Sequence, residues 1–529
     1  MAVNVPYQDD FDGLLEPVLF IHQNDPTFSE WWQALFTQDD ERRIVVDRLA
    51  AYVSYLISGH INLRGLILVG TLNLLLLGWV FYRWFRSTKT PWVLGLAIPW
   101  VLFNIQYYET IFWSMIPFQH LSAFIWGILT MWLLSRNTKR TYIAALIFGV
   151  LTLFSDVSGA FTLGSGGLIL VAQHRWKELL LWVIIMGAFI LYYFTGLVIP
   201  EYRPKFSDNF SNPLLLISIF TALFGIWADL GPQTPVLLRE SMSVLLGILT
   251  IALIAYFLYK TIISLLQTKK PLHKDDAFIW GAIAFVAVVL ATLAIGRASE
   301  GMESIFKPRY RHMYVFWLLL VYILSIRNLP QLFSQGKVQI TTLVISVLFC
   351  FNAYMSYWGE LDQFRKTLLA DAYQWYHNRS LPSSPIYLSL RDRVDTIYEG
   401  VYNEGIYRPE SYPFAKLPTA PVEGNVDIIL DQHDGNVEVE VVNFKRGGGK
   451  DDGAYVLFKA ANGETHILPA YQSVRPPHRI LLEKNYYYPG GRIARYGTAY
   501  FQSDVFDIEI GVIEGDRQYR LITGKQLRL

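Results

Sequence analysis

Two clusters of acidic residues near the amino terminus could activate a hydroxyl group or hold a cation. Asp9 and Asp10 belong to the first cluster, and Asp39, Asp40 and Glu41 form the second. Neighbouring carboxylates can act as general bases, and they can bind a divalent cation such as Mg²⁺ or Mn²⁺. The alternative is a solvated acidic loop without a chemical role. No other cofactor is expected, and the sequence leaves the need for a metal open.

Basic residues occur beside the second acidic cluster and again much later in the chain. Arg42 and Arg43 follow that cluster directly, and Arg297, Arg309 and Tyr310 lie between two apolar segments. Because the guanidinium group binds phosphate in a bidentate manner, these residues predict a site for a lipid monophosphate or diphosphate. The alternative is a group of snorkelling side chains that contact lipid headgroups.

A third polar group is interleaved with aromatic residues. It consists of Gln106, Glu109, Trp113, Gln119 and His120. Amides and carboxylates give sugar hydroxyls directional partners, and aromatic faces cover the apolar faces of sugar rings. This pattern predicts a sugar-binding site, and an aromatic belt at the membrane interface explains it equally well.

The composition of the chain indicates a multi-pass membrane protein. Of 529 residues, 53% are hydrophobic and only 17% are charged, against about a quarter charged in soluble domains. The net charge of +1 gives no reason to expect a nucleic-acid partner. The single cysteine, Cys350, excludes an intramolecular disulfide and a cysteine-based zinc site.

Eleven apolar segments are candidates for the membrane-embedded elements. A bilayer requires about 20 apolar helical residues, and several segments are shorter, which favours an internal cavity. Leu214–Leu230 is expected to be re-entrant or half-spanning, and Asp156 is a cavity residue or, slightly favoured, a turn residue at a helix end. The segments are Leu63–Tyr82, Trp92–Ile105, Pro117–Leu134, Tyr142–Phe154, Phe161–Ala172, Leu179–Val198, Leu214–Leu230, Val244–Leu266, Ala277–Ile295, Met313–Ile326 and Val338–Tyr357.

The distribution of basic residues predicts the orientation. Loops that contain Arg83, Arg86 and Lys89, and further basic loops along the chain, are expected to be cytoplasmic. The predicted outer loops, including 201–212 and 297–311, and everything after Tyr357 are then extracytoplasmic. Because successive membrane segments alternate in direction, the same orientation places residues 1–60 outside, which predicts a membrane helix upstream of Met1. Translocation of the amino terminus without such a helix is the alternative.

Four regions are expected along the chain. Residues 1–60 form an extracytoplasmic acidic loop with an interfacial amphipathic helix at Ile44–Ile57, whose Asp47 and Arg48 lie on a different side from the apolar residues. Residues 61–358 form the transmembrane helical bundle, 359–424 a helical or irregular linker, and 425–529 a small β-sandwich-like domain. The predicted strands are Val437–Val442, Ala454–Phe458, Ala499–Gln502 and Phe506–Val512, divided by turns at Asp434-Gly435, Arg446–Gly449, Asn462-Gly463 and Pro489–Gly491.

The chain resembles the GT-C-type membrane glycosyltransferases, and more narrowly a largely uncharacterised bacterial branch of them. The resemblance covers about residues 3–360 and implies a first membrane helix before Val3. Related chains often have Glu-His-Arg where this chain has Glu-Arg-Arg at 41–43, so no imidazole role applies there. The motifs that carry it are Pro6-Tyr7-Gln8-Asp9-Asp10, Glu41-Arg42-Arg43-Ile44, Gln106…Glu109…Trp113…Gln119 and Gly296-Arg297…Arg309-Tyr310.

The resemblance implies a function as well as a fold. It implies inverting transfer of one sugar from a polyprenyl-phosphate donor to an extracytoplasmic glycan, lipid or protein acceptor, by a multi-pass protein of the bacterial inner membrane. In that scheme Asp9 or Asp10 is the general base, and Glu41 positions the acceptor or shares a cation. The residues that would hold the departing phosphate are Arg42, Arg43, Arg297, Arg309 and Tyr310.

Three other classes of protein compete with this interpretation. A lipid or polysaccharide transporter would carry ionisable residues near the middle of the membrane and often internal repeats, whereas here the acids and cations cluster at one face and the sequence has no convincing repeat. A membrane acyltransferase would need a nucleophile or histidine inside a span. A non-catalytic envelope assembly protein stays open because the β-rich region could bind a partner.

Overall fold

The chain folds into two compact units, which are described separately. The helical unit contains residues 24–50 and 65–357, and the mixed unit contains 1–23, 51–64 and 358–529. The computed structural model describes residues 1–88, 90–200, 206–384, 387–409, 411–417, 426–442, 444, 451–488 and 491–529. Lys89, the first residues of the predicted loop 201–212, and the predicted turns at 446–449 and 489–490 lie outside the described residues.

Within the described part of the chain, six helical segments are long and apolar enough to cross a membrane, which indicates a membrane protein. They are Leu63–Thr88, Pro117–Ser135, Trp176–Phe194, Val236–Thr268, Lys274–Glu300 and Gly336–Asn378. The first of these consists of two helices, Leu63–Thr71 and Asn73–Thr88. The helix Val45–Ser58 belongs to both units, because the boundary between them follows residue 50. The other helices described in the helical unit are Phe28–Phe36, Trp92–Gly95, Ala97–Leu102, Tyr108–Phe112, Lys139–Ser155, Phe161–Ala172, Pro213–Leu223, Arg311–Asn328 and Pro330–Phe333.

The structure refines the predicted segments. Phe161–Ala172 is confirmed at both ends. The segment predicted at Trp92–Ile105 ends earlier than expected: the short helices Trp92–Gly95 and Ala97–Leu102 occupy it, and the backbone leaves the helical conformation at Phe103. The predicted re-entrant segment contains a helix of 11 residues, Pro213–Leu223, which is shorter than the roughly 20 residues that a straight crossing requires.

The core of the helical unit surrounds the helix Ala123–Ser135, in which almost every side chain is buried. Lys139–Ser155, Phe161–Ala172 and Lys274–Arg297 pack around it. Trp176–Phe194, by contrast, exposes most of its apolar side chains, as a helix in contact with lipid does. Burial and exposure therefore separate the interior helices of this unit from the helices at its surface.

Two glycines allow the helices Pro213–Leu223 and Val236–Thr268 to approach closely. A Cβ built on Gly247 would overlap the carbonyl oxygen of Thr221, and one built on Gly225 would overlap the carbonyl oxygen of Ser243. Small residues at helix contacts are a common basis of packing within membranes, because they let the backbones come together. The pair therefore fixes the spacing of these two helices.

Replacing Gly247 by valine is expected to lower the thermal unfolding temperature of the detergent-solubilised protein. The side chain would force the helices apart, and overpacking costs about 1–3 kcal/mol. Gly187→Val is the matched control, since a Cβ at Gly187 in the exposed helix Trp176–Phe194 meets no atom within 4 Å. Equal shifts in the two variants would show that the close approach at Gly247 does not contribute to stability.

The mixed unit combines helices with two antiparallel sheets. Its helices include Glu16–Asn24, the part of Gly336–Asn378 from residue 358 onwards, Tyr387–Asn403 and Pro477–Glu483. The strands are β1 Ile428–His433, β2 Asn436–Val441, β3 Gly453–Lys459, β4 Thr465–Ala470, β5 Arg492–Gly497, β6 Val505–Glu514 and β7 Arg517–Arg528. The orders are β1-β2-β5 in one sheet and β4-β3-β6-β7 in the other.

The two sheets share one apolar core, as the predicted sandwich requires. Val437 and Val439 of β2 belong to the same buried cluster as Val456 of β3 and Ile510 of β6. The predicted turns at 434–435 and 462–463 are confirmed, because each connects two paired strands. The strand predicted at Ala499–Gln502 is wrong: Thr498–Tyr500 forms a short 3₁₀ helix after β5.

Candidate functional site

Glu41 lies at the tip of a tight turn in the helical unit. Asp39 and Arg42 exchange two backbone hydrogen bonds, of 2.8 and 2.9 Å, across the turn. Asp40 occupies the left-handed region with φ of 52°, which aspartate tolerates better than most residues. The side chains of Arg42 and Asp39 are paired at 3.5 Å. The turn therefore holds a carboxylate and a guanidinium group beside Glu41.

Arg43 anchors this turn to the rest of the helical unit. Its Nε donates to the carbonyl oxygen of Tyr193 at 2.9 Å, its Nη2 donates to that of Thr195 at 2.7 Å, and its Nη1 donates to that of Phe36. Arg48 similarly donates to the carbonyl oxygens of Leu35 and others at the end of the helix Phe28–Phe36. This geometry favours a structural role for Arg43 over phosphate binding.

The turn places Glu41 within electrostatic range of Arg297, more than 250 positions later in the sequence. Burial raises the pKa of Glu41 above its ordinary value of 4.5, and the positive charges of Arg42 and Arg297 oppose that increase. Arg297 also pairs with Glu300 and lies over the ring of Tyr310, 5.6 Å from its centroid. The structure thus brings together a predicted acid and a predicted phosphate-binding arginine.

Arg309 continues the cluster from Arg297. Its guanidinium carbon lies 5.3 Å from the ring centroid of Tyr310, so two arginines share one aromatic ring. The Glu109 carboxylate lies close to the charge and the backbone of Arg309, and Thr110 donates to the Arg309 carbonyl oxygen at 3.0 Å. Burial raises the pKa of Glu109, whereas the charge of Arg309 opposes the increase.

His120 is held by a buried carboxylate that lies in a different chain segment. Its Nδ1 is 2.8 Å from an oxygen of Asp156. Asp156 also accepts the backbone N–H of Ser158 at 2.8 Å, so it caps the following helical turn. Burial raises the pKa of Asp156, but the hydrogen bonds from His120 and Ser158 outweigh it and hold that pKa below its usual range. Asp156 is therefore both a turn residue and a partner of His120.

Asp47 and His312 extend this buried polar region. Asp47 is 1% exposed, and neither of its carboxylate oxygens has a hydrogen-bond partner among the described residues. Burial raises the pKa of Asp47 well above its usual range, while Arg42 opposes the increase. The rings of His312 and His120 are roughly parallel, with centroids 6.5 Å apart. The sequence pattern predicted Asp47 on the polar side of an amphipathic helix, and the structure buries this side chain in the interior.

Several buried polar atoms in this region have no partner among the described residues. They are both polar atoms of the Gln119 amide, Nε2 of His312 and Nε of Arg309. A buried polar group without a hydrogen bond costs about 1–3 kcal/mol, so such groups mark sites where a ligand or water completes the hydrogen bonding. Gln106 and Trp113 are also buried, each 2% exposed.

The structure places the remaining predicted acids in the mixed unit. Asp10 is fully buried, and its carboxylate accepts the backbone N–H of Tyr7 at 2.9 Å. Asp9 is partly exposed beside it. Among the described residues, no three histidine, cysteine, aspartate or glutamate side chains are arranged to hold one metal ion.

Sequence reasoning did not select Asp47 or His312 as site residues, and it treated Asp156 as a cavity residue or, slightly favoured, a turn residue. His312 could have been found from its position beside Arg309 and Arg311. Asp47 gives no such signal, because its spacing matches that of an ordinary amphipathic helix.

Comparisons with protein-family models, with curated proteins and with solved structures found no match to this chain. The geometry of the helical unit is therefore the basis for assigning a function.

Proposed function

We propose that the chain transfers a sugar from a polyprenyl-phosphate donor to an acceptor hydroxyl, and that the reacting groups lie in the helical unit. The observation that carries the proposal is that Glu41, the chain neighbour of Arg42, lies within electrostatic range of Arg297. A transferase of this kind needs a carboxylate to take a proton and cations to stabilise a departing phosphate. Both are present in one cluster of a unit that has membrane-length apolar helices.

The proposed reaction is a single displacement with inversion. The acceptor oxygen attacks the anomeric carbon of the sugar, and the bond from that carbon to the phosphate oxygen breaks. The electron pair of that bond leaves with the lipid phosphate, and the acceptor proton goes to the carboxylate of Glu41. Arg297, Arg309 and Arg42 stabilise the departing phosphate. Arg43 takes no part, because its guanidinium group is bound to backbone carbonyl oxygens.

The polar groups around His120 suit the hydroxyls of the transferred sugar. The Gln119 amide offers two donors and an acceptor, and His120 is oriented by Asp156. Trp113 supplies an aromatic surface of the kind that packs against sugar rings. The carboxylate of Glu109 supplies a negative charge within electrostatic range of Arg309.

The proposal is tested with the purified full chain in lipid vesicles and radiolabelled polyprenyl-phosphate sugars. Release of lipid phosphate, with label appearing in water or in an acceptor, is the expected result. Movement of the intact donor across the bilayer without cleavage would instead assign the protein to the transporters. Binding without cleavage of any donor or acceptor mixture would favour a non-catalytic assembly role.

The same assay tests the base that the resemblance implies. If Asp10 supplies the base, Asp10→Asn abolishes transfer while expression and folding are retained. Turnover at the unsubstituted rate would remove Asp10 from the reaction. Asp9→Asn is assayed in parallel, because its side chain is the more exposed of the two.

A further inference from the structure

A short helix in the mixed unit exposes the side chains of two consecutive leucines. The helix Pro477–Glu483 begins at the second of two consecutive prolines and forms about two turns. Leu481 and Leu482 are 60% and 81% exposed, whereas Ile480 is buried and fixes the opposite side of the helix. Large apolar side chains that protrude together from a surface usually mark an interaction site.

The backbone around this helix is well anchored. Arg475 donates its backbone N–H to the carbonyl oxygen of Tyr486 at 2.9 Å, and its Nε donates to that of Tyr487 at 2.8 Å. Arg475 also pairs with Glu483 at the end of the helix. These contacts anchor both ends of the helix, which is called the projection below, and they hold the leucines in a defined position.

The projection is attached at the level where a membrane-length helix leaves its apolar part. The Tyr486 hydroxyl accepts the backbone N–H of Gly359 at 3.0 Å, and a Cβ on Gly359 would overlap Val474. Gly359 follows Tyr357, the last residue of the predicted segment within the candidate span Gly336–Asn378. The base of the projection therefore contacts the long helix two residues after its predicted apolar segment ends, which is where a helix that crosses a bilayer reaches the headgroups.

The residues flanking the leucines match an anionic lipid surface. Arg479 and Lys484 are exposed on the two sides of the leucine pair, and Glu483, the acid of this helix, is paired with Arg475. Tyr486 and Tyr487 follow directly, and tyrosine is enriched at the level of lipid headgroups. Apolar residues flanked by basic ones are the pattern of helices that insert shallowly into a membrane interface.

We propose that Pro477–Glu483 is a membrane-docking helix, which inserts Leu481 and Leu482 into the bilayer that its own chain spans and contacts anionic lipid through Arg479 and Lys484. The contact holds the mixed unit against the membrane surface. This proposal is independent of the transferase chemistry, because none of these residues belongs to the acid–arginine cluster, which consists of Glu41, Arg42, Arg297 and Arg309.

The test uses the full chain with Cys350→Ser, reconstituted in vesicles that contain phosphatidylglycerol. A bimane fluorophore is attached through Leu482→Cys. The matched control carries the fluorophore through Ile429→Cys on β1, because the side chain of Ile429 is also aliphatic and is 55% exposed. Phospholipids with brominated acyl chains are expected to quench the label at 482 and to leave the label at 429 unchanged. Adding Arg479→Glu and Lys484→Glu is expected to reduce the quenching at 482.

Three results would overturn the proposal. The label at 482 could be quenched by aqueous iodide and not by brominated lipid. The two positions could be quenched equally, which would show that this helix makes no special contact. The signal at 482 could depend on the protein-to-lipid ratio and not on bromine, which would assign the leucines to contact with a second copy. Because both labelled side chains are exposed, matching unfolding temperatures are expected for the two variants.

Discussion

Glu41→Gln is expected to reduce the rate of sugar transfer by about 10²–10⁴-fold, the usual contribution of a general base. The amide keeps the shape of the side chain but cannot accept the acceptor proton. Folding should be retained, since burial disfavours the ionised carboxylate of Glu41 and a neutral side chain removes that cost. The measurement is transfer of labelled sugar by the reconstituted full chain, with unfolding temperature recorded in parallel.

The pH dependence of the unsubstituted protein gives an independent check on Glu41. Because its folded-state pKa is raised above 4.5, the active carboxylate is lost as pH falls through a value above 4.5. The rate is therefore expected to fall on the acid side at a higher pH than for an exposed glutamate. The same raised pKa means that ionisation of Glu41 opposes folding, so its effect on stability is unfavourable above that pKa and absent below 4.5.

Glu178→Gln is the matched control for this substitution. Glu178 is 40% exposed and pairs with Arg175 at 3.6 Å, outside the acid–arginine cluster. The Glu178→Gln variant is expected to transfer sugar at the rate of the unsubstituted protein. Full activity in Glu41→Gln, or an equal loss in both variants, would remove Glu41 from the role of base.

Arg297→Ala is expected to reduce transfer by about 10²–10³-fold, comparable to the loss of one preorganised group that stabilises developing negative charge. Its guanidinium group lies over Tyr310 and within electrostatic range of Glu41. Arg297→Lys should restore only part of the activity, because an ammonium group cannot bind phosphate in a bidentate manner. Transfer rates and donor affinity are measured for both variants.

The two substitutions are linked through the pKa of Glu41. Arg297 opposes the burial that raises this pKa, so Arg297→Ala should move the acid limb of the pH–rate profile to higher pH. A purely structural arginine would not produce that shift. The control is Arg327→Ala, which breaks a pair with Asp276 at 2.6 Å and should leave both the rate and the profile unchanged. An unshifted profile in Arg297→Ala would show that the two residues do not act together.

Much of the helical architecture was predictable because its signal is local. A run of apolar residues long enough to cross a membrane is visible in the sequence, and Phe161–Ala172 and the long helix around Val244–Leu266 followed from it. The hairpin turns at 434–435 and 462–463 were equally local, since Asp-Gly and Asn-Gly favour tight turns between strands. The end of the predicted segment Trp92–Ile105 was placed too late, because composition reveals apolar character but not where the backbone leaves the helix.

The candidate site was only partly predictable because it depends on distant residues. The types of residue at Glu41, Arg297 and Arg309 indicated acid and phosphate chemistry. Nothing in their spacing could show that Arg43 binds carbonyl oxygens while Arg42 remains beside Glu41. The interior position of Asp47 was hidden for the same reason, because a helix pattern distinguishes two sides but does not identify what covers each side.

The sequence by itself determined that this chain has membrane-length apolar helices, a β-rich carboxyl-terminal region, and acids and arginines suited to phosphate and sugar chemistry. These properties follow from composition and short-range periodicity, which local backbone preferences and the hydrophobic effect translate directly. Only the tertiary structure decided that Glu41 meets Arg297 and that Asp156 holds His120. Such pairs form because helix packing brings remote segments together, and the energy that selects the packing is spread over the whole buried core.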